Sequence, residues 1–268
     1  MIFEVRHAQI ERIKGLNEFL VDAFVRTRQA QPTRVIIDLD PTDDPAHGQQ
    51  QLTLWSGYYE QNQYFPMMIF EGLTGMPLGA WLRPGTVSAS CGAVDMLRQI
   101  VEHLRRYWPN IEIYVRGDNG LAVPAMPDYC EAASLIYAFG YATNKVLQRR
   151  VNELELDEHA RLLWWMAGRR EFQLFHSFTD YQAGSWPGPR RIVTKVEITK
   201  TGGSNIRHGV TNMSGLAADI YREFYTQRGN VPERPIGELK NGLMMDRLSS
   251  HRFLANGQKL MTHVLAYL

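Results

Sequence analysis

The run Arg34-Val35-Ile36-Ile37-Asp38-Leu39-Asp40, closed by Pro41, is the feature that most limits how this chain can fold. Its branched and apolar residues are those of a buried β-strand, and the proline ends it. Two carboxylates interrupt what is otherwise core. Because Asp38 and Asp40 are two residues apart on one strand, their side chains project to the same face. Like charges a few ångströms apart repel and raise each other's pKa unless a cation neutralises them, so carboxylates gathered at a strand end suggest a metal. Oxygen donors without His or Cys point to Mg²⁺ or Mn²⁺ rather than zinc. Asp43 and Asp44 follow directly, but Asp-Pro-Thr-Asp-Asp-Pro is also turn composition, and a plain β-to-loop exit accounts for these two better than a metal does.

The chain has 268 residues, 44% of them hydrophobic and 21% charged, enough for a sizeable core in one large domain or two small ones. No apolar run approaches the ~18 to 20 residues of a membrane-spanning helix, and the N-terminus is too charged for a secretory signal, so a soluble, cytoplasmic protein is expected. Cys91 and Cys130 stand apart, with no ligand-spaced histidines, and suggest neither a disulfide framework nor a structural zinc. The net charge of +1 hides a sorting along the chain. Residues 1–189 carry 17 Lys+Arg against 22 Asp+Glu, whereas residues 190–268 carry 12 against 6. A basic C-terminal third suits a polyanionic partner, although a solvated helix face has the same composition.

Residues 10–28 have helical spacing, and residues 52–59 and 64–70 are aromatic and branched runs that predict strands separated by a turn at 60–63. A second amphipathic helix spans 90–107. The strand 111–115 then runs into Arg116-Gly117-Asp118-Asn119-Gly120, which places another acid just past a strand end. A helix from about 127 to 139 is expected to stop at Gly140, and a helical stretch covers 145–170. Strands are expected at 172–178, 191–199 and 206–211, and helices at 214–227, 233–248 and 252–268. The order matches an α/β class: a ribonuclease H-like mixed sheet flanked by helices, with a β-rich insertion before the last core helix. The six tryptophans, including Trp164 and Trp165, are expected mainly in the core.

Several motifs occur in a fixed order: Asp38-Leu39-Asp40-Pro41-Thr42-Asp43-Asp44 with His47-Gly48-Gln49, Tyr58-Tyr59, Leu82-Arg83-Pro84-Gly85, Val115-Arg116-Gly117-Asp118, Tyr129-Cys130-Glu131 and Asn144. Tyr225, Arg228, Glu233 and Lys240 follow, then Asp246-Arg247-Leu248-Ser249, Phe253-Leu254-Ala255-Asn256 and Ala266-Tyr267-Leu268. Taken together over more than two hundred residues, they resemble the bacterial insertion-sequence DDE transposases. The resemblance implies a ribonuclease H-like core in which two aspartates and a glutamate hold two Mg²⁺ or Mn²⁺ ions. It also implies double-stranded DNA, the transposon ends, as partner, a homodimer in the DNA complex, no membrane, and a bacterial cytoplasmic, nucleoid-associated location. Mapped by motif, the carboxylates are Asp40, with Asp38 as the alternative, Asp118, and Glu233, with Glu238 as the alternative. Tyr225, Arg228 and Lys240 are supporting residues, the two basic ones as phosphate clamps.

The chain departs from that pattern in two places. Four residues, Gly229, Asn230, Val231 and Pro232, separate Arg228 from Glu233 where the family has three, and Pro235 follows. One helix should therefore end near Gln227 or Arg228 and another begin near Asn230 or Pro232. Only about thirty residues precede the first aspartate strand, so residues 1–30 are expected to be the remnant of a missing N-terminal region. Residues 31–150 would be the first part of the core, 151–212 the insertion, and 213–268 the closing helices with the third carboxylate. Three functions stay open: an active transposase, an inert or merely DNA-binding remnant, and a phosphatase of the haloacid dehalogenase type. The last rests on Asp38-Leu39-Asp40-Pro41-Thr42, with Asp38 as nucleophile and Asp40 as general acid and base.

Overall fold

The computed structural model describes residues 2–230 and 233–268. The chain divides into two compact units, residues 1–114 with 228–268, and residues 115–227.

In the first unit, helix α1 (Ile2–Arg26) precedes β1 (Arg34–Pro41), the strand of the two aspartates. Residues 35 to 39 of β1 are all buried, the pattern of a strand covered on both faces. β5 (Met67–Glu71) pairs antiparallel with β1, setting Asp38 opposite Phe70 and Asp40 opposite Met68, and β6 (Pro77–Trp81) pairs antiparallel with β5. A separate three-stranded sheet, in the order β2-β4-β3, is made of β2 (Asp44–Pro45), β3 (Leu54–Ser56) and β4 (Gln61–Tyr64). Helices α2 (Ala93–Tyr107), α7 (Glu233–Asn241) and α8 (Phe253–Ala266) complete the unit. Its main core joins Leu20 of α1, Met68 and Phe70 of β5, Ile236 and Leu239 of α7, and Leu260, Met261 and Val264 of α8.

β7 (Glu112–Gly117) starts in the first unit and ends in the second. The second unit continues with α3 (Ala125–Ala132), β8 (Ile136–Tyr141), α4 (Lys145–Glu153) and α5 (Leu156–Met166). Three long antiparallel strands follow: β9 (Phe172–Tyr181), β10 (Arg190–Ile198) and β11 (Ser204–Thr211). The strand order here is β8-β11-β10-β9, with β11 antiparallel to β8. A short α6 (Ala217–Asp219) widens into a π-type turn over Ile220–Tyr225. The α/β class with flanking helices and a β-rich stretch before the closing helices is the one the sequence predicts. Among the described residues, no helix is long and apolar enough to cross a membrane.

Several local expectations need correction. The predicted turn at 60–63 is strand β4, and the chain reverses earlier, over residues 57–60, where Glu60 takes φ 52°. Residues 136–141 are a strand rather than the end of a helix. Gly140 lies inside it because a Cβ there would come within 2.6 Å of the Tyr225 hydroxyl and 2.9 Å of the Asn119 nitrogen. The stretch 145–170 is two helices broken at Glu155, which adopts φ 49°, while Asn144 caps the first by accepting from the Val146 and Leu147 amides. The helix expected to reach residue 248 ends at Asn241, where Gly242 turns the chain back onto the Glu238 carbonyl. Trp165 is 63% exposed and Trp55 60%, so neither belongs to the core.

Candidate active site

In the first unit, Asp40 sits at the carboxyl end of β1 and is half-buried. Arg228 Nη1 donates to its Oδ1 at 3.2 Å, and both side chains are about four-fifths removed from water. The residue that the motif order assigns to phosphate thus stands as the counter-cation of the first candidate carboxylate. Asp38, the alternative, is fully buried within β1. In its neighbourhood Lys240 Nζ donates to Asp43 Oδ1 at 2.8 Å, so the second basic residue of the pattern is also held by an acid after β1.

Glu233 is exposed and opens α7, with Pro235 following in the first turn, where a proline costs no helical hydrogen bond. The expected start of this helix near Asn230 or Pro232 falls partly on Val231 and Pro232, which lie outside the described residues. Glu238 faces elsewhere. Its carboxylate accepts from Tyr267 Oη at 2.6 Å and from Arg234 Nε at 2.9 Å, and these two partners hold it below the usual carboxylate range.

In the second unit, Asp118 lies one residue past β7, half-buried and extended at φ −74°. Its Oδ1 accepts from the Gly120 amide at 3.0 Å and so caps the short 3₁₀ turn that follows. Tyr225 ends the π-type turn, with its hydroxyl against Gly140 and its ring edge-on to Tyr221 at 5.2 Å. Since Gly140 also abuts Asn119, Tyr225 and the Asp118 turn meet around this one glycine. Sequence reasoning missed Gly140 as part of the site; the signal available was a glycine inside an otherwise aromatic, strand-forming run. Arg116, two residues before Asp118, is buried and donates to the Phe224 carbonyl at 2.8 Å, which ties β7 to the same turn.

Other motif residues are structural. Arg83 is buried and donates to the carbonyls of Phe65 (2.8 Å), Ala89 (2.8 Å) and Cys91 (3.0 Å), while a Cβ on Gly85 would overlap the Gln63 carbonyl. Asn256, fully buried, donates to Tyr64 Oη and the Ser250 carbonyl and accepts from the Ser250 amide. His47 donates through Nε2 to the Asp246 carbonyl at 3.0 Å and orients no candidate carboxylate through that contact.

The candidate carboxylates have the hard-oxygen chemistry that Mg²⁺ or Mn²⁺ prefers, and the guanidinium on Asp40 marks a place where positive charge is favoured. Among the described residues, no group of three or more His, Cys, Asp or Glu side chains is arranged to hold a metal.

No curated protein matches the chain. Among solved structures it is similar to the piggyBac transposase in a synaptic complex with hairpin DNA, at 10% identity and a TM-score of 0.46, over 88% of this chain and 48% of that one. The chain thus spans about half the length of that transposase. A family model described as transposase DDE domain group 1 matches residues 1–268, and no comparison supports the dehalogenase-type alternative. The chain belongs to the transposase DDE domain family of group 1.

Proposed function

We propose that this chain is the catalytic domain of a transposase that cleaves and rejoins DNA phosphodiesters at the ends of an insertion sequence. Asp40, Asp118 and Glu233 are its metal-holding carboxylates. The observation that carries this proposal is the family match over all 268 residues. The positions of Asp40 at the end of β1 and Asp118 just past β7 accord with it. Two divalent cations supply the chemistry when bound, activating a water or a 3′-hydroxyl and stabilising the leaving oxygen.

The chain's own residues perform the remaining tasks. Arg228 neutralises Asp40 while no ion is there, and must leave that carboxylate for an ion to take it. Once released, the guanidinium suits a backbone phosphate bidentately, and Lys240, when freed from Asp43, offers a second positive point. Tyr225 buttresses the Asp118 turn through Gly140. The basic residues of the last third add phosphate contacts that weaken steeply with salt.

A duplex carrying any inverted repeats found to flank the coding sequence, incubated with Mg²⁺, tests this. Strand cleavage that disappears in Asp40→Ala and in Asp118→Ala supports the proposal. Loss in Glu233→Gln but not in Glu238→Gln assigns the third carboxylate. A second reading, a remnant that binds DNA without cutting it, draws on the basic last third, where residues 190–268 carry 12 Lys+Arg against 6 Asp+Glu. It predicts salt-sensitive duplex binding with no cleavage at any Mg²⁺ or Mn²⁺ concentration.

A further inference from the structure

Three carboxylates and one ammonium gather where the turn after β1 faces the end of α7. Lys240 Nζ is engaged with Asp43 Oδ1 at 2.8 Å. Asp44, the next residue, is 0% exposed, and neither oxygen of its carboxyl has a hydrogen-bond partner. The charged groups acting on it are Asp246, beyond α7, Lys240 on α7 and Asp43 beside it; Tyr64 of β4 stands directly opposite. A carboxylate in this position has lost its hydration and gained no donor in exchange. One ammonium already committed to Asp43 cannot also neutralise Asp44 and Asp246, and the simplest remaining compensation is a proton.

The elements on either side of Asp44 are joined by a strap of hydrogen bonds, two of them made by histidine rings. His47 donates to the Asp246 carbonyl at 3.0 Å, Gln50 Nε2 to the Ser250 carbonyl at 3.2 Å, and the Gln51 amide to the His251 carbonyl at 3.0 Å; the His251 ring donates to the Gln49 carbonyl at 2.6 Å. Bonds of this kind are individually weak, so a buried negative charge between the elements they join is enough to shift their balance.

We propose that Asp44 is a positioning residue which, as a neutral carboxylic acid, lets segment 240–253 close over the turn 43–53, and that its ionisation opens this latch. Burial and the facing Asp246 push its carboxyl up to about 7, which puts the transition in the neutral range. With the latch open the carboxyl is hydrated and titrates near its ordinary value of 3.8. The closed form therefore holds one extra proton between those limits. Its population relative to the open form falls about tenfold per pH unit across that window and levels off above it. The latch stands on its own; that it also sets Glu233, at the head of α7, rests on the function proposed above.

The test is hydrogen exchange of the 240–253 amides in the full chain from pH 5 to pH 8.5, corrected for intrinsic exchange and run without DNA or metal. Failure here and failure of the transposase assignment are thereby separable. Wild type is expected to lose about 50-fold in protection between pH 5 and 7 and about 100-fold in all by pH 8.5, where the profile levels off. Asp44→Asn is expected to lose most of that pH dependence, with only the part due to the strap imidazoles of His47 and His251 left, and Asp246→Asn to move the transition to lower pH. The same pH profile in wild type and Asp44→Asn would overturn the proposal. Should Asp44→Asn not fold, a carboxyl ¹³C titration of wild type decides: a midpoint near 7 for Asp44 supports the latch, and an ordinary carboxylate midpoint overturns it.

Discussion

Replacing Arg228 by Gln isolates the contact that most constrains the candidate site. Arg228 Nη1 lies 3.2 Å from Asp40 Oδ1, with 20% and 19% of the two side chains exposed. At that separation and an effective dielectric near 20, the gross attraction is about 5 kcal/mol. Desolvation of both groups and the entropy of fixing a long side chain remove most of it, leaving about 1 to 2 kcal/mol net for a partly buried, charge-assisted pair. Arg228→Gln should therefore lower metal-free stability by about that amount. If an ion at Asp40 takes the place of the guanidinium, as proposed, the same free energy opposes metal binding in wild type. Removing the arginine should tighten Mn²⁺ binding by roughly fivefold to thirtyfold. Calorimetric titration of Mn²⁺ into wild type, Arg228→Gln and Asp40→Asn reads this directly, with Asp40→Asn as the control that abolishes the site. Equal or weaker Mn²⁺ binding by Arg228→Gln, with Asp40-dependent binding present, would refute the exchange of arginine for metal.

Three further substitutions test the scaffold. Arg190, 4% exposed at its side chain, bonds Glu131 at 2.7 and 2.8 Å and Asp128 at 2.6 Å; because Asp128 and Glu131 keep 43% and 41% of their side chains in water, Arg190→Met should cost only about 1 kcal/mol in denaturant unfolding. Asn17 of α1 accepts from the Ala80 amide at 2.8 Å and donates to the Ala80 carbonyl at 3.2 Å, satisfying both backbone groups of a residue on β6, the end strand of its sheet. Asn17→Leu should cost about 2 to 4 kcal/mol despite its greater hydrophobicity. His208 is buried with Nδ1 on the Thr194 hydroxyl, and burial pulls its pKa down to about 4. Its depressed folded pKa means a contribution present above 6.5 that is lost as pH falls through about 4. His208→Gln should flatten the acid limb of the stability curve over that range by up to about 3 kcal/mol.

The parts of the fold that were legible in the sequence are those set by local periodicity. β1 could be read because Val35 to Leu39 form an unbroken buried run, and the strands β9, β10 and β11 because turn-forming residues separate them. The misread segments are those where a tertiary contact overrides the local pattern. Gly140 looked like a helix stop, but its role is to admit the Tyr225 hydroxyl across the unit. The helix after Glu233 ran too long on paper because apolar residues continue past Asn241, yet Met245 and Leu248 reach the core from a loop rather than from further helical turns. At the site, Asp40 and Asp118 were found as acids at strand ends, whereas the pairings Arg228 with Asp40 and Lys240 with Asp43 join residues nearly two hundred positions apart, which no spacing rule encodes. Asp44 had every mark of a turn residue. Its burial without partners comes from β2 pairing with β4 and from the return of the chain after α7.

Anomalous diffraction from crystals of the chain grown with Mn²⁺ tests the proposed assignment of Asp40, Asp118 and Glu233 as the carboxylates that hold divalent cations. Mn²⁺ peaks are expected within coordinating distance of Asp40 and Asp118, with the Arg228 guanidinium displaced from Asp40. Mn²⁺ bound only elsewhere, or none bound with Arg228 still on Asp40 at saturating concentration, would contradict it.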